Sequence, residues 1–541
     1  NWIDDGQRYS YTLTNPRTRA SEVRAYDPAS ANDELLFDPG ALTVPGTSEP
    51  LQYRSFAWAA DSRHVVFQTD FRPVYRYSGV ADFYVYGVED ESLVLAADDA
   101  RTAEMSPDGA LLAYEREGDL FVYDMDSEQE RRLTSTASDV VWNGVFDWVY
   151  EEEFGLTQAW DWSPDGQRIA YWQTHVADVP TIQITDWEGL YPEWTVMPFP
   201  KVGQDNSEVR IGVVDVASGE TRWMDVGLDG EHYVPRIYWT SDPNTLAVVT
   251  LNRPQNELQL YFFDVRSGER RLVMEEQSEA WIDVFDFFAS VTHYFYFPDG
   301  SRDFFWISDH DGYNHLYRYS YDGELLNQVT AGEWVVTRVE GIDAATRTIY
   351  YTGTEESTLQ RHLYAIDFDG GNKRRLTGVA GNHAIDMSPS TDYYIDTWSS
   401  SSRPQQVELW RTQGGGELLA TLEDNDEVEA FVVWLHARGT IPTVVALRRR
   451  FESVRQAELT RLESKLNRLS PEVRAHVEEV TQLVVQKLLL TPTERLKATA
   501  DEATAAQYAE VITQLFDLAA DPPAAAPATD ATSPSPSTSK T

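Results

Sequence analysis

One phrase keeps returning along the first 426 residues of this chain. It is an apolar or Trp residue, then Ser-Pro-Asp-Gly or a variant, then an alternating strand. It reads Trp58-Ala59-Ala60-Asp61-Ser62, Met105-Ser106-Pro107-Asp108-Gly109 and Trp162-Ser163-Pro164-Asp165-Gly166. Later forms are Trp239-Thr240-Ser241-Asp242-Pro243 and Met387-Ser388-Pro389-Ser390. A strand follows, as at 111–114 and 169–172, and often a second, as at 119–123, 258–263 and 362–366. A turn then leads to a closing Arg-Arg-Leu at 131–133, 270–272 and 374–376. Pro-Asp-Gly and Asp-Gly turns between alternating runs mark hairpins. Recurrence roughly every 40–60 residues marks propeller blades. Seven or eight blades of about 40–50 residues would fill this length. Asn1-Trp2-Ile3-Asp4 reads as the middle of a blade, so the first blade is expected to be truncated.

The pattern stops near 424–427, and the charge changes with it. The whole chain carries a net −44, with 44 Lys+Arg against 88 Asp+Glu. Residues 427–541 hold 13 Lys+Arg and 15 Asp+Glu, which leaves 31 and 73, a net −42, for residues 1–426. Of 17 Trp, only Trp434 lies beyond 427. The second region reads as helical. Asp426 with Glu429 can cap a helix to about Ala437, stopped by Gly439. Pro442 opens a long one, with Val444, Leu447, Phe451, Val454, Leu459, Leu462, Leu466 and Leu469 forming one apolar stripe. Ser470-Pro471 starts another. Thr491-Pro492-Thr493-Glu494 has the form of a capping box with Pro at the first helical position. A last helix is expected over 504–518, and the Ala/Pro/Ser/Thr stretch 519–541 is expected to be disordered. The stripe suits dimerisation or an ordinary helical bundle packed on itself.

Composition excludes several functions. With no cysteine there are no disulfides, no thiolate metal sites and no cysteine nucleophile. Nucleic acid and anionic membrane surfaces are poor partners for so acidic a surface, which instead fits a protein kept soluble in high salt. No run approaches the length of a membrane-spanning helix. No signal peptide is visible, and a start at Asn1 fits a fragment or a mature form. The histidines show no metal-binding spacing. Asp309-His310-Asp311-Gly312 lacks a full calcium loop and reads as a hairpin turn. No metal and no cofactor is expected.

The stretch Asp147-Trp148-Val149-Tyr150-Glu151-Glu152-Glu153 carries the clearest chemistry. Adjacent carboxylates repel one another, and each costs free energy to desolvate. An exposed acidic loop is the ordinary reading in so acidic a chain. Capture of a protonated amine is the other, and the aromatic residues before the glutamates favour it.

This stretch, followed by Ala159-Trp160-Asp161-Trp162-Ser163-Pro164-Asp165-Gly166, resembles the propeller domain of dipeptidyl peptidase IV and related prolyl-oligopeptidase-type serine peptidases. Asp311-Gly312-Tyr313-Asn314-His315-Leu316-Tyr317, Thr330-Ala331-Gly332-Glu333-Trp334 and Tyr393-Tyr394-Ile395-Asp396-Thr397 with Pro404 support it. The resemblance covers residues 1–426 and implies an eight-bladed propeller. It also implies that Glu152 and Glu153 clamp a substrate's free α-amine. Charge-assisted hydrogen bonds would then count the peptide from its end and enforce dipeptide release. From the looser match of Tyr75-Arg76-Tyr77-Ser78 it implies that Arg76 holds a substrate carbonyl; an ordinary salt bridge is the alternative. Yet the sequence contains no Gly-x-Ser-x-Gly nucleophile elbow. The expected activity is therefore recognition of peptide N-termini, a substrate gate without catalytic competence of its own.

Residues 427–518 resemble the C-terminal dimerisation domain of glutamyl-tRNA reductase, an enzyme of tetrapyrrole (porphyrin) biosynthesis. The matching phrases are Trp434-Leu435 with Arg438, Ile441-Pro442-Thr443-Val444-Val445-Ala446-Leu447-Arg448, Arg455-Gln456-Ala457-Glu458-Leu459, and Lys487-Leu488-Leu489 through Pro492-Thr493 to Arg495-Leu496-Lys497. The resemblance implies a homodimer through helices of 442–518. Reductase activity does not follow, because that family's thioester-forming cysteine and nucleotide-binding glycine motif are missing. The alternative function is a portion of such a reductase in a rearranged or misjoined gene. A periplasmic or extracellular location follows from the first resemblance, a cytoplasmic one from the second.

Overall fold

The computed structural model describes all residues except 16–19, 228–230, 285–292, 402, 424, 426–440, 468, 498–501 and 519–541. The chain divides into two compact units, Asn1–Glu423 and Asp424–Thr541. The helix expected over 426–437 and the tail at 519–541 lie outside the described residues.

The first unit is an eight-bladed β-propeller. Its blades are antiparallel sheets over residues 2–37, 55–100, 103–132, 141–224, 232–277, 295–328, 336–375 and 382–423. The recurring phrase has a local cause. Ser106 Oγ donates to Asp108 Oδ1 at 2.7 Å and accepts from Leu111 N at 3.0 Å, while Gly109 N donates to Ser106 O at 2.8 Å. Gly109 takes a φ of 76°, where a side chain is disfavoured. Ser163, Asp165 and Gly166 repeat the arrangement, with Ser163 Oγ to Asp165 Oδ1 at 2.7 Å and Arg168 N to Ser163 Oγ at 2.9 Å. Each copy turns the chain from the first strand of a blade into the second. The Arg-Arg-Leu phrases fall at fourth strands: Gln129–Arg132, Arg270–Gln277 and Arg374–Arg375.

The core lies between neighbouring blades. Val23, Phe37, Val65, Phe67 and Tyr86 join blades 1 and 2. Leu120, Val122, Trp160, Ile169 and Val214 join blades 3 and 4. The ring closes by side-chain packing. Trp2, Tyr9 and Tyr26 of blade 1 pack against Tyr393, Ile395 and Leu409 of blade 8, and Trp2 Nε1 donates to Asp386 O at 3.2 Å. The first blade, expected to be truncated, has all four strands, the first of them the two-residue Trp2–Ile3.

Blade 4 departs from its neighbours twice. Its first strand is split into Val141–Asn143 and Trp160–Trp162, both paired with Arg168–His175. The excursion between the halves carries helix α1 (Trp148–Phe154). A separate hairpin, Thr181–Asp186 with Glu193–Pro198, leaves Trp187, Leu190 and Tyr191 exposed.

The second unit holds α2 (Ile441–Arg461), α3 (Glu463–Leu466), α4 (Pro471–Lys497) and α5 (Glu502–Leu515). Leu447, Leu489 and Leu518 form its small core, with Phe451, Val485 and Ile512 packed on it. The expected stripe divides: Val444 and Leu447 are buried, whereas Val454 and Leu469 are exposed. On α4, Val473, Val480, Val484 and Leu488 are exposed as well. The capping box expected at Thr491 does not start a helix, because α4 runs through it. Pro492 removes one backbone donor, and the turns before it, anchored by buried Leu489, carry the helix on. No described helix is long and apolar enough to cross a membrane.

Candidate functional site

Helix α1 is built by the residues that precede the glutamates. Asp147 caps it, its Oδ1 accepting from Tyr150 N at 3.0 Å, and burial pushes this carboxyl up from its ordinary pKa. Trp148 packs on Phe199 with ring centroids 4.3 Å apart. Tyr150 is buried, stacks on Phe146 and meets Phe154 edge-on. Its hydroxyl accepts from Val234 N of blade 5 at 3.0 Å. Gly155 ends the helix at a φ of 63°. Arg236, buried in blade 5, donates to Phe154 O at 2.8 Å and Val284 O at 2.9 Å. The aromatic run is therefore the packing that fixes a helix of about two turns, too short to hold itself.

The three glutamates occupy three different environments. Glu151 is 2% exposed. Its carboxylate accepts from Tyr77 N at 2.7 Å and from Ser78 Oγ at 2.5 Å, both in the 74–78 loop of blade 2. Glu152 is half-buried, with its Oε1 3.2 Å from Arg76 Nε. Glu153 is exposed. The structure thus brings Arg76 and Glu152 together from blades 2 and 4, with Glu153 next along the same helix. Arg76 is 64% exposed at its side chain, so the guanidinium stands in solvent beside the carboxylate. The loop behind it is tight, with Val74 N donating to Ser78 O at 2.9 Å. Burial raises the Tyr75 hydroxyl pKa.

Acid dominates the surroundings. Tyr233, against Phe154, is raised chiefly by burial, with Glu153 and Glu231 adding to it. A cavity of about 680 Å³ opens beside Tyr233, lined by Asp178, Asp205, Glu208 and Glu231 among others. Such a surface attracts cations. Two charged residues escape sequence reading as site components: Glu151 as a bridge to blade 2, and Arg236 as the anchor of the helix end. Ser78, directly before the strand Gly79–Gly87, gives no local signal for the bridge, because its partner lies 73 residues away. Among the described residues no group of three or more His, Asp or Glu side chains gathers as a metal site. At 309–312, Gly312 N donates to Asp309 O at 2.7 Å in a turn.

Residues 59–405 match the family model for the dipeptidyl peptidase IV N-terminal region. The chain belongs to this family. Among its relatives, the probable dipeptidyl peptidase 4 of Trichophyton verrucosum is 29% identical over 420 residues, covering 74% of this chain and 54% of that protein. Dipeptidyl peptidase 4 of Trichophyton tonsurans is also 29% identical over 420 residues, covering 74% and 53%. The chain therefore spans about half the length of the curated relatives it matches. The crystal structure of Porphyromonas gingivalis dipeptidyl peptidase 4 is 31% identical, with a TM-score of 0.70 over 79% of this chain and 59% of that one. Residues 425–518 match a second model, the dimerisation domain of glutamyl-tRNA reductase.

Proposed function

We propose that the propeller is a substrate-recognition module of dipeptidyl-peptidase type, which binds peptides by their free N-terminal amine. In this reading Glu152 and Glu153 receive the ammonium and Arg76 takes a backbone carbonyl. The observation that carries it is the 3.2 Å approach of Arg76 to Glu152 beside an exposed Glu153. A guanidinium and a carboxylate pair so placed offer donors and acceptors to the two unlike ends of one amino-acid residue. An ammonium between two carboxylates makes charge-assisted hydrogen bonds, roughly twice as strong as neutral ones. The family relationship supports the same roles. Bond cleavage needs a nucleophile that this sequence does not supply in a Gly-x-Ser-x-Gly elbow, so the module binds and selects.

The test is a titration with a free-amine tripeptide such as Ala-Pro-Ala. The Glu152→Gln/Glu153→Gln variant is expected to bind at least tenfold more weakly, the loss of roughly one charged hydrogen bond. Equal affinity for variant and parent would remove the amine role.

The exposed row Val473, Val480, Val484 and Leu488 on α4 favours a second element of the proposal. These helices pair two copies of the chain, as the match at 425–518 suggests. A single-chain mass by light scattering at micromolar concentration would count against it.

A further inference from the structure

We propose that Glu151 is the positioning residue that sets the spacing between the amine-binding and carbonyl-binding halves of the site. The inference rests on the amine-clamp reading and deepens it: Glu151 itself touches no substrate.

Glu151 is the most buried of the three glutamates, at 2% exposure. Among the described residues no Lys, Arg or His forms an ion pair with it. Burying a carboxylate without a cation is costly unless strong donors compensate. Its donors are the Tyr77 amide and the Ser78 hydroxyl, at 2.7 and 2.5 Å. These are the two residues that follow Arg76 in the chain. The carboxylate thus grips the backbone on one side of Arg76, and blade 3 lies between the two tied blades in sequence order.

The helix end of this tie is fixed without Glu151. Asp147 caps α1, Tyr150 is bonded to blade 5, and Arg236 holds Phe154 O. The loop end is closed on itself, with Val74 N and Tyr75 N both donating to Ser78 O, and it carries Arg76 at its exposed tip. Arg76 is largely solvent-exposed, and its guanidinium meets Glu152 and the Tyr77 ring. The helix is thus fixed to blade 5, the loop is closed within blade 2, and Glu151 sets the separation between them. A supporting residue of this kind decides whether recognition groups meet a ligand at one geometry or at many.

The chemistry predicts which substitutions are tolerated. In Glu151→Gln the amide oxygen can accept from Tyr77 N–H while its NH₂ donates to Ser78 Oγ. In Glu151→Ala both donors are left without the acceptor and the loop is released.

The experiment compares the parent chain with Glu151→Ala, Arg76→Ala, the double variant and Glu151→Gln. Two ligands are titrated: Ala-Pro-Ala, and L-alaninol, which has the amine but no carbonyl. Glu151→Ala should weaken the tripeptide by the same factor as Arg76→Ala, about tenfold for one charged hydrogen bond. The double variant should be no weaker than either single one, the signature of residues acting as a unit. Alaninol binding should be unchanged, and Glu151→Gln should restore the tripeptide. Multiplying losses in the double variant, or an equal loss of alaninol, would overturn the proposal. A ligand-free readout keeps it separate from the amine-clamp reading: trypsin cleavage at Arg76–Tyr77, whose amide Glu151 holds. Glu151→Ala should be cut faster there and Glu151→Gln at the parent rate. If the parent failed to prefer a free amine, the clamp reading would fall. An unchanged cleavage rate in Glu151→Ala would refute the tie itself.

Discussion

The propeller and the helical unit bury their apolar surface differently. Between blades, Trp160, Trp306, Tyr114 and Phe304 lie at 1% exposure or less. In the helical unit the buried cluster is Leu447, Leu489 and Leu518, while Val480, Val484 and Leu488 stand 51–60% exposed. A ring of eight sheets gives every blade two neighbours and so closes its own core. A few helices with a row of exposed Val and Leu leave a face that water opposes. The charges divide the same way, with the net −42 region forming the closed ring and the nearly neutral one the open helices. The difference teaches that the ring can carry a heavy acidic surface because its interior is complete, whereas the described helices leave apolar side chains exposed.

Four perturbations test this contrast. The largest effect is expected from Trp160→Ala, which empties a site between blades 3 and 4 and loses the bond from its Nε1 to Thr102 Oγ1 at 2.9 Å. A cost of about 3–5 kcal/mol is expected, seen as a lowered propeller transition in calorimetry with any helical transition unmoved. Next comes Val480→Glu/Val484→Glu. It should convert a dimer to a monomer by light scattering and raise the dissociation constant about 100-fold, since two apolar side chains of roughly 1.5 kcal/mol each leave the interface. The near-ultraviolet circular dichroism of the aromatic propeller should not change.

A smaller effect tests the acidic interior. Burial pushes Asp161 up to about 7, with Glu104 adding repulsion. In the unfolded chain an aspartate titrates near 4. Between those values the native state holds the extra proton, so this group's contribution is full below about pH 4 and is lost as pH rises through 7. Asp161→Asn removes that loss. It should stabilise the propeller at pH 8 by about 1–2 kcal/mol and give no gain at pH 4, read from urea midpoints. The smallest shift is expected from salt. Raising NaCl from about 0.1 to 1 M shortens the screening length from about 10 to 3 Å. It should raise the propeller transition by a few degrees and leave a nearly neutral helical unit almost unaffected.

The fold was legible where its causes are local. Ser106 and Asp108, like Ser163 and Asp165, bond to amides within five residues, so the turn and its blade can be read from four letters. Helix α1 was not read from the sequence, because its aromatic run is held by distant partners, Phe199 against Trp148 and Val234 N against the Tyr150 hydroxyl. The role of Glu151 is not local. Three glutamates in a row look alike as letters, and their environments diverge because one faces Ser78 across 73 residues of chain. The continuation of α4 through Pro492 escaped for a related reason: a capping box is a local preference, and a helix already anchored at Leu489 overrides it. The two-residue first strand of blade 1 is held by Tyr393 and Asp386, far away in sequence.

The central claim is that this propeller reads a peptide by its charged amino end. Isothermal titration of the parent chain with Ala-Pro-Ala and with N-acetyl-Ala-Pro-Ala, at pH 7 and low salt, tests it most directly. Heat of binding is expected for the free amine, and at least tenfold weaker binding once acetylation removes the charge. Equal binding of the two peptides would contradict it.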